Sequence, residues 1–342
     1  MQPPVTERDV RVEVLGRLDA DEVGRIAVLV ERATEADGVR PLSEHVALHL
    51  RHGGDTPARN VLLYLRAETA AEAPDRLAGY AHLDVTDAVE GPSAELVVDP
   101  AHRRRGIARL LLAHVRAESA AASPGGRLRL WSHGGLPAAA AMAEAEGFRG
   151  VRALVQLRRS LFAVLPAAAL PAGIDVRTFR PGADDAAWVD LNAAAFAAHP
   201  EQGRWTLADL HQRMAEPWFD PHGFFVAERS GVLVGFHWTK VHGGDSTAHV
   251  HDHLGLHTHD AHGHEPIGEV YVVGVAPAER GHGLGRALTL VGLHHLRSLG
   301  LPEAMLYVDA DNTAAISLYA GLGFTPWDTD VMFRDGTVRP PS

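Results

Sequence analysis

The chain has 342 residues, 46% of them hydrophobic, a formal net charge of −11 and no cysteine. That length suits two domains of ordinary size, and the missing cysteines exclude disulfides, thiolate metal sites and a cysteine nucleophile. The acidic balance argues against nucleic acid as a partner and suits a small cationic substrate such as an amine. No run of about eighteen apolar residues occurs, so no membrane span is expected. Met1–Glu7 lacks the basic and apolar regions of a signal peptide, so the expected location is the cytoplasm.

In chain order, apolar periodicity predicts a strand at Val10–Leu15 and a helix over about Asp21–Glu35, with a second helix after Ser43. Strands follow near Val61–Leu65 and Leu77–Leu83, joined by the alanine-rich stretch Ala67–Asp75. The run Glu95–Asp99 ends at Pro100 and leads into Arg103–Ala108; Ile107, Leu110, Leu111 and Val115 then mark one face of a helix. A strand at Leu128–Trp131, a helix at Pro137–Glu146 and a strand from Arg149 to about Arg158 complete the first half. Residues 161–173, with Pro166 and Pro171, read as a linker between domains 1–160 and 174–342.

The second half repeats the order. It has a strand at Ile174–Phe179, helices at about Asp184–Ala198 and after Thr206, and strands at Phe224–Glu228 and Leu233–Val241. The 242–266 insertion holds eight histidines, from His242 to His264. Imidazoles can hold Zn, Ni or Cu, but the Gly- and Asp-rich setting without fixed spacing favours a variable loop with adventitious metal affinity. A strand through Val270–Ala276 follows and ends at Pro277; Arg280–Gly285 comes next, then a helix marked by Leu284, Ala287, Leu288 and Val291.

Pro100 and Pro277 lie 177 residues apart, as do Gly106 and Gly283, while Phe148 and Phe324 lie 176 apart. A nearly constant offset marks an internal duplication. Each glycine loop sits where a strand ends and a helix begins, so free N–H groups and the helix dipole make an anion site. The pattern differs from the Gly-x-Gly-x-x-Gly dinucleotide fingerprint and lacks the Gly-Lys-Ser/Thr of a P-loop.

With its strand and proline, this loop resembles the acyl-CoA loop of the GNAT acetyltransferases. Leu306–Val308, the helix start at Asn312 and the ending Leu318–Phe324 match the family's downstream order. The resemblance implies an α/β fold of two tandem GNAT domains, each a twisted mixed β-sheet flanked by helices. It implies acetyl-CoA as co-substrate and no metal. Val273, Gly274 and Val275 would offer backbone groups to the thioester. Arg280, Gly281, His282, Gly283, Leu284, Gly285 and Arg286 would hold the pyrophosphate, with Asn312, Thr313, Ala314, Ala315, Ile316 and Ser317 beside it. In the first half Leu96, Val97 and Val98, with Arg104, Arg105, Gly106, Ile107, Ala108 and Arg109, would hold a second acetyl-CoA.

Acetyl transfer to an amine needs a base for the ammonium and an acid for the leaving thiolate. Glu269 and Tyr319 are the candidates; their bland alternatives are an exposed strand-end residue and a packing aromatic. By the repeat offsets Glu269 matches Pro92, Tyr319 matches Ala143, Tyr307 matches Trp131 and Asn312 matches Leu136. The second half is therefore expected to be catalytic, and the first structural or an acetyl-CoA holder without turnover.

Phe236–Lys240, Gly268–Val275, His199–Gly203 and Leu306–Asn312 make the chain similar to the mycothiol synthase family, most strongly from His199 to Phe324. Members acetylate the cysteinyl amine of cysteinyl-glucosaminyl-inositol, which gives mycothiol. The resemblance implies Glu269 as base and Tyr319 as acid. Glu201, Lys240, Glu269 and Tyr307 would contact this small-molecule acceptor, with Glu44 reaching over from the first domain. The histidine-rich insertion departs from the family. Lys240 and Glu201 also read as solvated surface charges, and Trp238 as either a stacking platform or core. Two other classes stay open: a GNAT enzyme for another amine (aminoglycoside, polyamine or protein), and a non-catalytic acyl-CoA or metal-binding protein. The expected assembly state is a monomer.

Overall fold

The computed structural model describes residues 5–52, 58–66, 75–87, 90–123, 127–197, 199, 202–242 and 266–336. They form two compact units: the first runs to Leu154 and includes the segment from Asp328, and the second runs from Val155 to Trp327.

Unit 1 opens with β1 (Val10–Leu15), α1 (Ala20–Asp37) and α2 (Glu44–His52). β2 (Ala58–Leu65), β3 (Arg76–Asp84), β4 (Ser93–Val98), α3 (Ile107–Ala122), β5 (Arg129–Ser132) and α4 (Pro137–Ala145) follow. β1 to β4 are antiparallel neighbours, and β5 pairs with β4 in parallel. Alternation along the strands gives the sheet two apolar faces. Ile26, Leu29, Val46 and Leu50 of α1 and α2 pack against Leu62, Tyr80 and Val97 on one of them. Ile107, Leu111 and Val115 of α3 pack with Val61, Leu63 and Ala81 on the other. Each such side chain contributes about 1.5–3 kcal/mol on burial.

β6 (Phe148–Ser160) passes from unit 1 into unit 2, which continues with β7 (Asp175–Thr178), α5 (Asp185–Ala195), α6 (Leu207–Met214), β8 (Phe224–Arg229) and β9 (Val232–His242). β10 (Ile267–Val275), α7 (Leu284–Ser298), β11 (Glu303–Asp309), α8 (Thr313–Ala320) and β12 (Thr325–Asp335) close the chain. The unit 2 sheet has the order β6-β11-β10-β9-β8-β7. Trp188, Leu191 and Leu210 of α5 and α6 pack on Phe224, Phe236 and Trp238. On the other face Leu290, Leu293 and Leu296 of α7 pack with Val270, Leu306 and Val308.

The expected α/β duplication is present, with one correction. The sequence reading ends on Phe324 and counts 174–342 as one domain, yet a further strand follows. From Val331 to Arg334, β12 pairs antiparallel with β5, so the segment from Asp328 belongs to unit 1. Phe333 enters the unit 1 core, which accounts for the pairing. Trp238 is core, with no exposure. Among the described residues no helix is long and apolar enough to cross a membrane, and no group of three or more His, Asp or Glu could hold a metal. Most of the histidine-rich insertion, 243–265, lies outside the described residues.

Candidate active site

β10 and β11 pair in parallel only over Ile267–Glu269 and Glu303–Met305, although the strands run on to Val275 and Asp309. Past Glu269 their facing edges part. On its other side β10 stays paired with β9 to Val275, across a bulge between Val270 and Val272. A bulge bends and twists its strand, which accounts for the parting. Val273, Gly274 and Val275 thus keep backbone groups unpaired on the β11 side, where an amide-bearing chain can add itself to the edge. Gly274 must lack a side chain here, because a Cβ would stand 2.5 Å from the Phe236 ring.

The strand leads into Arg280–Gly283 and α7. Helices α1 and α6 start on side-chain caps, Asp19 and Thr206, that accept from their first-turn N–H groups. α7 starts instead on Gly283, at φ +83° and without a side-chain cap. The first-turn N–H groups of Leu284, Gly285 and Arg286 therefore stay available to an anion. A Cβ at Gly281 or Gly283 would meet nothing within 4 Å, so the loop borders open space. Leu284 itself points into the core, fully buried, so it serves through its backbone. Arg280 anchors the loop: its Nη2 donates to the Ala195 carbonyl at the end of α5 (2.6 Å).

Glu269 is the last residue of the parallel ladder and is 8% exposed, which removes the strand-end alternative. Its Oε2 accepts from His242 Nε2 at 2.7 Å. Lys240 stands directly opposite it on β9. Lys240 is also buried, its Nζ 4.5 Å from the Trp218 ring centroid and 5.3 Å from that of Tyr271, so it is no solvated surface charge. The bulged Tyr271 accepts at its hydroxyl from Arg213 Nε (2.9 Å), and Arg213 lies over Trp205. An aromatic wall thus lines the same sheet face as Glu269.

Tyr319 of α8 lies in the apolar cluster with Val270, Leu306 and Phe324, on the face opposite Glu269 by strand alternation. Burial pushes its phenol up to about 12. Among the described residues its hydroxyl has no hydrogen-bond partner, and its ring packs edge-on against Phe324, as the packing-aromatic alternative also expects. Tyr307 on β11, two residues beyond Met305, is 43% exposed and accepts from Gln156 Nε2 at 2.6 Å. Asn312 caps α8, accepting from the Ala315 N–H (3.1 Å). Thr313, Ala314 and Ser317 are exposed, and Ala315 and Ile316 are half-buried.

Residues 187–324 match the acetyltransferase (GNAT) family, and residues 63–150 match an acetyltransferase (GNAT) domain. The chain is 57% identical to a mycothiol acetyltransferase of Acidothermus cellulolyticus, covering 98% of each chain. A mycothiol acetyltransferase of Streptosporangium roseum is 54% identical over 95% of this chain and 99% of its own. The chain belongs to the mycothiol acetyltransferase family. It is an N-acetyltransferase built from two GNAT domains. Two solved structures share the tandem fold at a TM-score of 0.66. One is a GCN5-related N-acetyltransferase from Sphaerobacter thermophilus, 23% identical and covering 99% of this chain and 98% of that one. The other is a tandem GNAT protein from the clavulanic acid biosynthesis pathway, 20% identical and covering 97% and 100%.

In this member of the family, unit 1 repeats the loop geometry. α3 starts on Gly106, at φ +90° and again without a side-chain cap. Arg103 grips Asp37 at the end of α1 with two bonds of 2.6 and 2.7 Å, as Arg280 grips the end of α5. Arg104 is exposed at φ +63°, the Arg105 carbonyl accepts from Val5 N–H, and Arg109 pairs with Glu146. Ala108 is half-buried, while Ile107 and Val97 are core, and Leu96 and Val98 pack against it. Glu44 opens α2, and Glu201 lies outside the described residues.

Sequence reasoning missed His242, taken only as the first histidine of the insertion, and the Arg213–Trp218–Tyr271 wall. Alternation of Trp238, Lys240 and His242 on β9 would have put all three on one face. It also missed Glu95, the last ladder residue of β4. Ser43 donates to Glu95 from its N–H and its Oγ (both 2.6 Å), and His133 Nε2 is 3.5 Å away.

Proposed function

We propose that this chain transfers the acetyl group of acetyl-CoA to the cysteinyl amine of cysteinyl-glucosaminyl-inositol, giving mycothiol. The observation that carries the reading is the buried Glu269 at the point where β10 and β11 part, in a chain of this family. The pantetheine arm would lie along the free edge of Val273–Val275, with the pyrophosphate on the N–H groups of Gly283–Arg286. The thioester would then sit in the gap, with Glu269 on one side and Tyr319 on the other. Glu269 takes a proton from the ammonium, and the freed electron pair attacks the thioester carbonyl. Collapse of the tetrahedral intermediate breaks the C–S bond, the Tyr319 hydroxyl protonates the leaving sulfur, and the second proton lost by the nitrogen as the amide forms restores the phenol by way of water. Both substrates held in line supply much of the acceleration.

An acceptor with one ammonium and many hydroxyls suits a site of carboxylates and aromatic faces. Glu44, Glu201, Lys240 and Tyr307 belong to this reading as acceptor contacts. So does a cytoplasmic monomer that needs no metal, its first half holding acetyl-CoA without turnover. The test is CoA release from acetyl-CoA with a panel of amines. Strong preference for cysteinyl-glucosaminyl-inositol is expected; equal or better turnover of an aminoglycoside, a polyamine or a lysine peptide overturns the reading.

A further inference from the structure

We infer that His242 is the positioning residue of Glu269, fixing one carboxylate oxygen so that the other receives the amine proton. This rests on the assignment of Glu269 as base. The two side chains come from different strands: His242 pairs with Ile267 across the ladder, and Glu269 with Lys240. A diagonal neighbour on one face is within reach, and His242 Nε2 lies 2.7 Å from Glu269 Oε2. A carboxylate only accepts, so Nε2 carries the hydrogen. Both side chains are largely withdrawn from water, with 24% and 11% exposure, where a charge-assisted bond holds its geometry.

Among the described residues Oε1 of Glu269 has no partner. The division of labour follows. Oε2 is held by His242, and the N–H bond of the ammonium breaks as an O–H bond forms on Oε1. The electron pair stays on nitrogen for the attack, and the proton later leaves Oε1 to water. Without His242 the carboxylate can rotate away from the reacting nitrogen, and misplacement of about 1 Å costs up to about 100-fold in rate.

The experiment uses the full chain and measures kcat and both KM values for His242→Ala, His242→Gln, His242→Asn and Glu269→Gln. His242→Ala should lower kcat about 10- to 100-fold with the KM for acetyl-CoA unchanged. The Gln amide nitrogen stands the same number of bonds from Cα as His Nε2, so His242→Gln should recover most of the rate. The Asn amide sits at the place of Nδ1 and should not. In the Glu269→Gln background His242→Ala should add no further loss, as for residues acting as one unit. Wild-type turnover by His242→Ala, or a His242→Gln enzyme as slow as His242→Ala, overturns the inference. Retained turnover by Glu269→Gln would instead remove the base assignment beneath it.

Discussion

Glu95 and Glu269 occupy the same place in their units, each the third and last residue of a short parallel ladder, and each is buried. Their surroundings differ. Burial alone would raise the Glu95 carboxyl, but His133 and Ser43 outweigh it and hold Glu95 below the usual range. Both of its oxygens are spent on Ser43. His133 in turn is bracketed by Asp330 of β12 at 3.0 Å and by Glu95. Glu269 has His242 on one oxygen and, among the described residues, no hydrogen-bond partner on the other. A buried carboxylate with both oxygens bonded suits a structural role, and one with an oxygen left over suits the taking of a proton. The two units share the ladder position and differ in the hydrogen bonds around it.

The largest expected effect falls on the half-satisfied partner. Glu269→Gln should lower kcat by about 10²- to 10⁴-fold and leave acetyl-CoA affinity unchanged by calorimetry; normal turnover would erase the contrast. Glu95→Gln should do the reverse. It strips His133 of one counter-charge, so unfolding in denaturant should show a loss of about 3 kcal/mol with kcat per folded molecule intact. Slowed turnover at full stability would exchange the two roles.

The network of unit 1 also has a pH signature. Burial would lower His133, but Asp330 and Glu95 push it up to about 10 from 6.5. A raised folded-state value means that its stabilisation is complete below 6.5 and is lost as pH climbs toward about 10. The wild-type thermal midpoint should fall across that window, and His133→Asn should flatten the fall. The smallest effect compares the loops. Gly283→Ala and Gly106→Ala each force a Cβ into a positive φ, at a cost of about 1 kcal/mol. Only Gly283→Ala should also raise the KM for acetyl-CoA in turnover.

Much of this was legible in the sequence, because glycine loops and apolar strands are local signals. The two glycine loops and the helix start at Asn312 follow from local pattern, whereas Glu269 and Tyr319 became candidates through the resemblance to the GNAT acetyltransferases. β12 escaped because Thr325–Asp330 mixes a proline, a tryptophan and two aspartates without alternation, and only its partner β5 makes it a strand. Glu95 escaped for a geometric reason. Counting by the loop offset matches Glu269 with Pro92, but β10 runs on to Val275 past Glu269 while β4 stops at Val98, so residue counts slip by three against ladder positions, one of them the β10 bulge. Lys240 kept a surface charge as its alternative, since only the fold brings Trp218 beside it.

The pairing of β5 with β12 sets a timetable for synthesis. His133 and Asp330 touch across 197 residues of chain. At ribosomal speeds of about 5–20 residues per second, unit 1 waits roughly 10–40 s after its own β5 emerges before its last strand exists. Throughout that interval β5 presents an open edge of the kind that invites the wrong neighbour. The half made first is thus the half finished last.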